Sequence, residues 1–427
     1  MRTRLLPISV FLLLCVSLRA APVSRPNIVL IIADDLAWDD LGAFGHPTIR
    51  TPHLDRLARE GMRFDRAFVT ASSCSPSRSS LVTGRYPHST DAEQLHWPLP
   101  AAQITFVEKL KAAGYWTGAA GKWHLGDAVR GRFNEVREAD PAGYTLAANA
   151  GAGNTKMSMQ QGGDIQSGCT DWVPLLRARP RDQPFFLWLA ALDPHRDYEE
   201  KISARPTHAE NVIVPRHLPD TPVVRADLAL YYDEIERLDR FVGLVLAELE
   251  AQRVTGETLV VFMSDNGRPF PRDKTTVFDG GIRTPLIMRW PGRIAAGSEC
   301  AQLVSTVDLA PGFLAAAGLP PAETFQGVSF LPLLSEPARP IRREIFAEQN
   351  WHDYENRSRA VRTENFKLIV HEYPDLPLTP GADALRSATY GEMVRLRKAG
   401  QLPADAQQCF AAPRAPVELY DLRSDPG

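Results

Sequence analysis

Asp34 and Asp35 directly follow the apolar run 27–33, and Asp265 and Asn266 follow the run 259–263. Three carboxylates and an amide oxygen are hard donors that suit Ca2+ or Mg2+ far better than zinc or iron. Each pair alone also fits a turn cap or a tight turn, so it is the pairing of two such strand ends that points to a cation. Two more apolar runs end in reactive residues: 116–120 before Lys122 and His124, and 185–192 before Asp193 and His195. Lys122 and His124 stand two apart, which in an extended chain aims both to one side. Cys74 lies in the stretch SSCSPSRSSLVTGR, residues 72–85. Pro76 and the serines predict a helix beginning just beyond Cys74, with the positive end of its dipole toward the thiol and Arg78 one turn on. Polar, cationic surroundings favour a nucleophile or an anion site over a packing cysteine.

The elements that must position these residues read as alternating strands and helices. Near-continuous apolar runs predict strands buried on both faces, as in a parallel sheet covered by helices. Helical patterns fall at 51–60, 106–113 and 225–252, the last with apolar residues three and four apart. Alternation of this kind predicts an α/β fold with a mostly parallel central sheet sandwiched by helices. Ligands bind beyond the carboxyl ends of such strands, so the four reactive ends are expected to converge on one crevice. After about residue 340 the pattern changes. Residues 360–371 read as a hairpin strand, a Pro-rich and helical stretch follows, and 417–422 reads as another short strand, predicting a small C-terminal subdomain with an antiparallel sheet. The expected organisation is a leader over 1–20, a catalytic domain over 21–340 and a smaller subdomain over 341–427, possible truncation of the last being left open.

The chain has 427 residues, of which 44% are apolar and 23% charged, enough to build a large core. A formal net charge of -3 argues against a nucleic-acid-coating protein. Arg2 and Arg4, the interrupted apolar run 5–18 and the small exit Ala20-Ala21 read as a secretory signal peptide, too short for a stable membrane span. Export is therefore expected, to a periplasm, the medium or, in an animal, a lysosome. Cys169, Cys300 and Cys409 are scattered, with no zinc-like spacing and no disulfide framework.

From Cys74 to Arg78 and on through LVTGR, the chain resembles the signature of the formylglycine-dependent sulfatases, a family of the alkaline phosphatase superfamily. Matching stretches are PNIVLIIADD at 26–35, TPHLDRLAREG at 51–61, GKWHLG at 121–126, DPHR at 193–196, SDNG at 264–267 and GGIRTPLIMRWPG at 280–292. The resemblance implies that a formylglycine-generating enzyme, reading Cys74, Pro76 and Arg78, oxidises Cys74 to Cα-formylglycine. The hydrated aldehyde then supplies one hydroxyl to attack sulfur and a second to expel sulfate. It further implies that Asp34, Asp35, Asp265, Asn266 and the converted Cys74 hold one divalent cation, usually calcium and less often magnesium. Arg78 would hold the formylglycine hydroxyl, Lys122 and His124 would serve sulfate binding and proton removal, and His195 and Lys274 would contact sulfate and assist the leaving group. In Arg-Asp-Lys alone, Lys274 would read as solvated surface.

Several segments resemble the heparan N-sulfatase (sulfamidase) branch, above all residues 214–250, outside the shared signature, and 364–378 with the late VELYDLRSDP. That points to an N-sulfated glucosamine substrate. Departures are Lys122-Trp123-His124 and Gly280-Gly281-Ile282-Arg283, which follow the general sulfatase pattern, and Lys274 where that branch has arginine. The loop 86–100, with His88, Asp91, Glu93, Gln94 and His96, offers groups to grip a sugar. The alternatives are an O-sulfatase on another sulfated polysaccharide and a non-catalytic glycan-binding relative. A phosphate or phosphonate hydrolase of the superfamily would carry serine or threonine in place of Cys74. The sequence leaves the oligomeric state open.

Overall fold

A computed structural model describes residues 25–139, 163–198, 202–203 and 206–425. The expected leader lies outside the described residues. Strands β1 (Asn27–Ala33), β2 (Met62–Phe68), β3 (Trp116–Gly121), β4 (Glu135–Glu138), β5 (Phe185–Ala190), β6 (Thr258–Ser264), β7 (Leu286–Arg289) and β8 (Ser298–Ser305) form one sheet. Its order is β4-β3-β5-β1-β6-β7-β2-β8, and only the pairings of β7 with β6 and β2 are antiparallel. The expected mostly parallel sheet is thus the one observed, with the four reactive runs as β1, β3, β5 and β6.

Continuous apolar runs form these strands because both sheet faces are covered. Ile28, Leu30 and Ile32 of β1 enter one core, and Val29, Ile31 and Ala33 enter the other. Helices α1 (Pro52–Arg59), α2 (Cys74–Thr83), α3 (Phe106–Ala112), α4 (Trp172–Ala178), α5 (Pro222–Ala251), α6 (Asp279–Ile282) and α7 (Leu309–Ala316) supply the covering layers. The 30-residue α5 starts at Pro222 behind Thr221, whose hydroxyl accepts from Val224 N–H at 3.4 Å. Its Leu228, Tyr231, Ile235, Leu238, Val242 and Val245 recur at three- and four-residue steps and line the second core.

A second, four-stranded antiparallel sheet orders as β12-β11-β10-β9, from β9 (Ile345–Gln349), β10 (Ser358–Arg362), β11 (Phe366–His371) and β12 (Val417–Asp421). The single hairpin segment read at 360–371 is in fact two paired strands, since residues 363–365 turn the chain. Helices α8 (Ala382–Leu385) and α9 (Ala388–Lys398) lie between β11 and β12. Asp279 of α6 fastens this layer to the large sheet. It accepts from Lys367 Nζ at 2.7 Å and pairs with Arg362 Nε at 3.1 Å, all three side chains being buried.

Candidate active site

The ends of β1 and β6 lie side by side because the strands pair in register from Asn27↔Thr258 to Ala33↔Ser264. Asp34, Asp35 and Asp265 consequently each place a carboxylate oxygen within 4.8 Å of the others. Asp35, with φ at 69°, turns the chain so that adjacent carboxyls face one point, and its N–H donates to Asp265 Oδ1 at 3.2 Å. Asn266 Nδ2 donates to Asp35 Oδ1 at 2.6 Å, while Asn266 Oδ1 is buried without a hydrogen-bond partner. An orphaned buried acceptor beside three carboxylates fits a hard divalent cation. These residues are those expected to hold one.

Cys74 sits at the first turn of α2, which starts at Cys74 itself behind the extended Ser73, one position earlier than expected. The helix is buried along its whole length. The thiol lies 3.5 Å from Asp34 Oδ1 and 4.0 Å from Asp35 Oδ1. Burial raises its pKa well above the ordinary value, so Lys122 and Lys274 nearby do not make it a thiolate.

Cations ring the carboxylates. Arg78 Nε and Nη2 both lie 2.8 Å from Asp265 Oδ2. Lys122 Nζ pairs with Asp34, and Lys274 Nζ donates to Asp35 Oδ2 at 2.7 Å. Burial opposes the charge of each of these lysines, but the facing carboxylates outweigh it and raise both pKa values. Burial likewise opposes ionisation of Asp34, yet Lys122 and His195 hold it below its ordinary value, whereas burial and Asp34 push Asp265 up. Chain geometry explains the placement of Lys122. β3 ends at Gly121, φ 95°, where a Cβ would stand 1.8 Å from Ala190 O, so only glycine lets β3 run this close to β5.

The extended arrangement expected of Lys122 and His124 is not kept. His124 is left-handed, φ 53°, and its Nε2 meets His96 Nδ1 at 2.8 Å. Burial, then Lys122, push the His124 pKa well down. His195 follows β5, whose end is fixed by the buried pair Arg237–Asp193, with contacts of 2.8 and 2.6 Å. His195 Nε2 lies 3.7 Å from Asp35 Oδ2 and 3.7 Å from Asp383 Oδ2. The structure therefore brings every residue of the expected set to one place. Of the loop 86–100, His96 reaches the site, whereas His88 pairs with Glu348 of β9 at 2.7 Å and Asp91 accepts from Gln103.

Two residues were not expected. Asp383 of α8 accepts from Lys274 Nζ at 2.8 Å, and Lys274 and His195 overcome burial to hold its carboxyl below the ordinary range. His352, after β9, meets Ser73 Oγ at 2.8 Å, and burial lowers its pKa to about 4. Neither lies in a motif. The visible signal was only the change of pattern after residue 340.

A mostly parallel sheet with a buried cysteine-bearing helix, acidic strand ends and a ring of buried cations defines a hydrolase of the alkaline phosphatase-like fold, and the chain belongs to the Sulfatase family, which it matches over residues 26–319. It is thus a sulfatase, a hydrolase of sulfate esters or sulfamates. Residues 270–376 also match the region described as N-sulphoglucosamine sulphohydrolase, C-terminal. Human N-sulphoglucosamine sulphohydrolase is 31% identical, covering 94% of this chain and 85% of that protein. Human arylsulfatase A is 30% identical over 97% of this chain and 85% of its own length. A solved structure in complex with its substrate D-glucosamine-2-N,6-O-disulfate has the same fold, with a TM-score of 0.69 at 20% identity, covering 94% of this chain and 92% of that one.

Proposed function

We propose that this sulfatase removes sulfate from a sulfated sugar, with N-sulfated glucosamine of a glycosaminoglycan such as heparan sulfate as its substrate. The observation that carries the reading is the match of residues 270–376 to the C-terminal region of N-sulphoglucosamine sulphohydrolases. An O-sulfated sugar is the second reading, supported by Lys122-Trp123-His124, which follow the general sulfatase pattern.

Asp34, Asp35, Asp265, Asn266 through its orphaned Oδ1, and the converted Cys74 would hold one divalent cation, calcium in this reading. When bound, that cation polarises a sulfuryl oxygen and lowers the pKa of a hydroxyl at the nucleophile. Cys74, oxidised to Cα-formylglycine by a maturation enzyme and hydrated, supplies two hydroxyls, one for attack and one for release of sulfate. Arg78, Lys122 and Lys274 bind the sulfuryl oxygens and meet the charge that develops there. His195 Nε2 gives a proton to the departing amine or alcohol. His124, kept neutral by burial, has an open ring nitrogen to accept a proton from the nucleophile's hydroxyl. The proposal includes export after loss of residues 1–20, with catalytic and C-terminal parts divided near residue 340. Among the described residues no helix is long and apolar enough to cross a membrane.

The test is sulfate release by protein whose formylglycine content is verified by mass, with calcium, comparing N-sulfoglucosamine, 6-O-sulfo-N-acetylglucosamine and 4-nitrophenyl sulfate. Selective release from N-sulfoglucosamine, lost in Cys74→Ala, is expected. Release from the O-sulfated sugar alone overturns the substrate reading and leaves the chemistry standing.

A further inference from the structure

Beside the nucleophile opens a cleft of about 240 Å³ lined by His96, Trp97, His124, Asp127, Arg130 and Glu138, among others. Its inner wall is the His96–His124 pair. His96 N–H donates to the hydroxyl of Ser75, the residue after Cys74, at 2.8 Å, so the cleft and the nucleophile share a wall. Trp97 is 44% exposed, unlike the buried Trp123 that also lines the cleft. An exposed, rigid indole at the mouth of a polar cleft is a surface for the C–H face of a sugar ring.

The charge of the lining narrows the ligand. Among the described lining residues Arg130 is the one cation, and it is taken: it bonds Glu138, pairs with Asp127 at 3.3 Å and lies 5.4 Å over the Trp123 ring. Two carboxylates against one guanidinium leave the lining net negative. The histidines do not reverse this, since burial lowers the pKa of His96 to about 4 and pushes that of His124 well down. The volume lies below the roughly 300 Å³ at which drug-sized ligand sites begin, which suits one ring better than a chain. Glu138, held by Arg130, and the solvated Asp127 carboxylate suit hydroxyl groups, and a net negative wall repels a ring bearing further anions.

We propose that this cleft is the subsite for the sugar ring that carries the scissile sulfate, and that its acidic lining selects a ring with no second sulfate and no carboxylate. The inference rests on the sulfated-sugar reading above and deepens it. It also places the reaction in sequence: where the ring bears another sulfate ester, a separate sulfate-ester hydrolysis must come first.

The experiment uses formylglycine-containing protein, wild type, Trp97→Ala and Glu138→Gln, with thermal melts to confirm that each is folded. KM and kcat are measured on N-sulfoglucosamine, N,6-O-disulfoglucosamine and 4-nitrophenyl sulfate. Wild type is expected to prefer the monosulfated sugar. Trp97→Ala should raise its KM about tenfold, more than that for 4-nitrophenyl sulfate. Glu138→Gln should narrow the preference against the disulfated sugar. Equal effects on all three substrates, or a wild type that prefers the disulfated ring, overturn the subsite. If wild type hydrolyses 4-nitrophenyl sulfate but neither sugar, the N-sulfoglucosamine reading fails, and saturation-transfer NMR with N-acetylglucosamine and its 6-sulfate decides the cleft separately. Contact with the unsulfated sugar, weakened in Trp97→Ala, upholds it; no contact, or equal contact with both sugars, overturns it.

Discussion

The candidate active site is built from two regions that meet it differently. Strand ends of the large sheet deliver Asp34, Asp35, Lys122, His195, Asp265 and Asn266, each within a few residues of the strand that aims it. The C-terminal layer delivers Asp383 and His352 from a short helix and a loop, through packing against a sheet that lies far away in sequence. A residue aimed by its own strand announces itself beside an apolar run. A residue aimed by another element's packing carries no such mark, although it reaches the same cluster through Lys274 or Ser73.

Substitutions on both sides can break that comparison. The largest effect is expected from Cys74→Ala, which removes the proposed nucleophile: sulfate release should fall at least about 10⁴-fold, with the melting temperature little changed. Next, Asp265→Asn should cost on the order of 10² to 10³ in kcat, the range seen when one preorganised electrostatic group is lost. Titration calorimetry should show weaker calcium binding in the same variant, and unchanged binding would remove Asp265 from the ligand set.

Asp279→Ala tests the seam between the regions. It would leave Arg362 and Lys367 buried without their carboxylate, and denaturant unfolding should show a loss of about 3–5 kcal/mol. Although burial works against its ionisation, Lys367 and Arg362 hold the Asp279 carboxyl below its ordinary 3.8. A depressed carboxyl contributes stability above its unfolded pKa, so this contribution should vanish as pH falls below about 3.8 through the folded value. The smallest effect is expected from Asp383→Asn, on the C-terminal side. As a positioning residue for Lys274, Asp383 should lower kcat roughly 10- to 100-fold when neutralised, with KM for 4-nitrophenyl sulfate moving less. An unchanged kcat would reduce the C-terminal contribution to packing.

The fold class, the four site-bearing strands and α5 were legible because burial on both sheet faces demands continuous apolar runs, and an amphipathic helix demands its three-to-four spacing. The hairpin at 358–371 was read as one strand because residues 363–365, Thr-Glu-Asn, carry neither glycine nor proline to mark the turn. His124 escaped the extended reading because its left-handed backbone follows from the close passage of β3 and β5 at Gly121 and from its contact with His96, neither of which is local. Asp383 was illegible for a related reason. Its role depends on Lys274, 109 residues earlier, and only the packed C-terminal layer brings the two together.

Cys74 is 2% exposed on a helix buried from end to end, and β1, which flanks it, is complete only once β6 has paired along it. Under the proposal that a maturation enzyme oxidises Cys74, that enzyme has to reach the side chain before the sheet closes over it. At roughly 5–20 residues per second of synthesis, the interval between making Cys74 and making Ser264 lasts on the order of ten seconds or more. Under that proposal, maturation would be a race against folding, with the sequence distance between β1 and its late partner setting the head start.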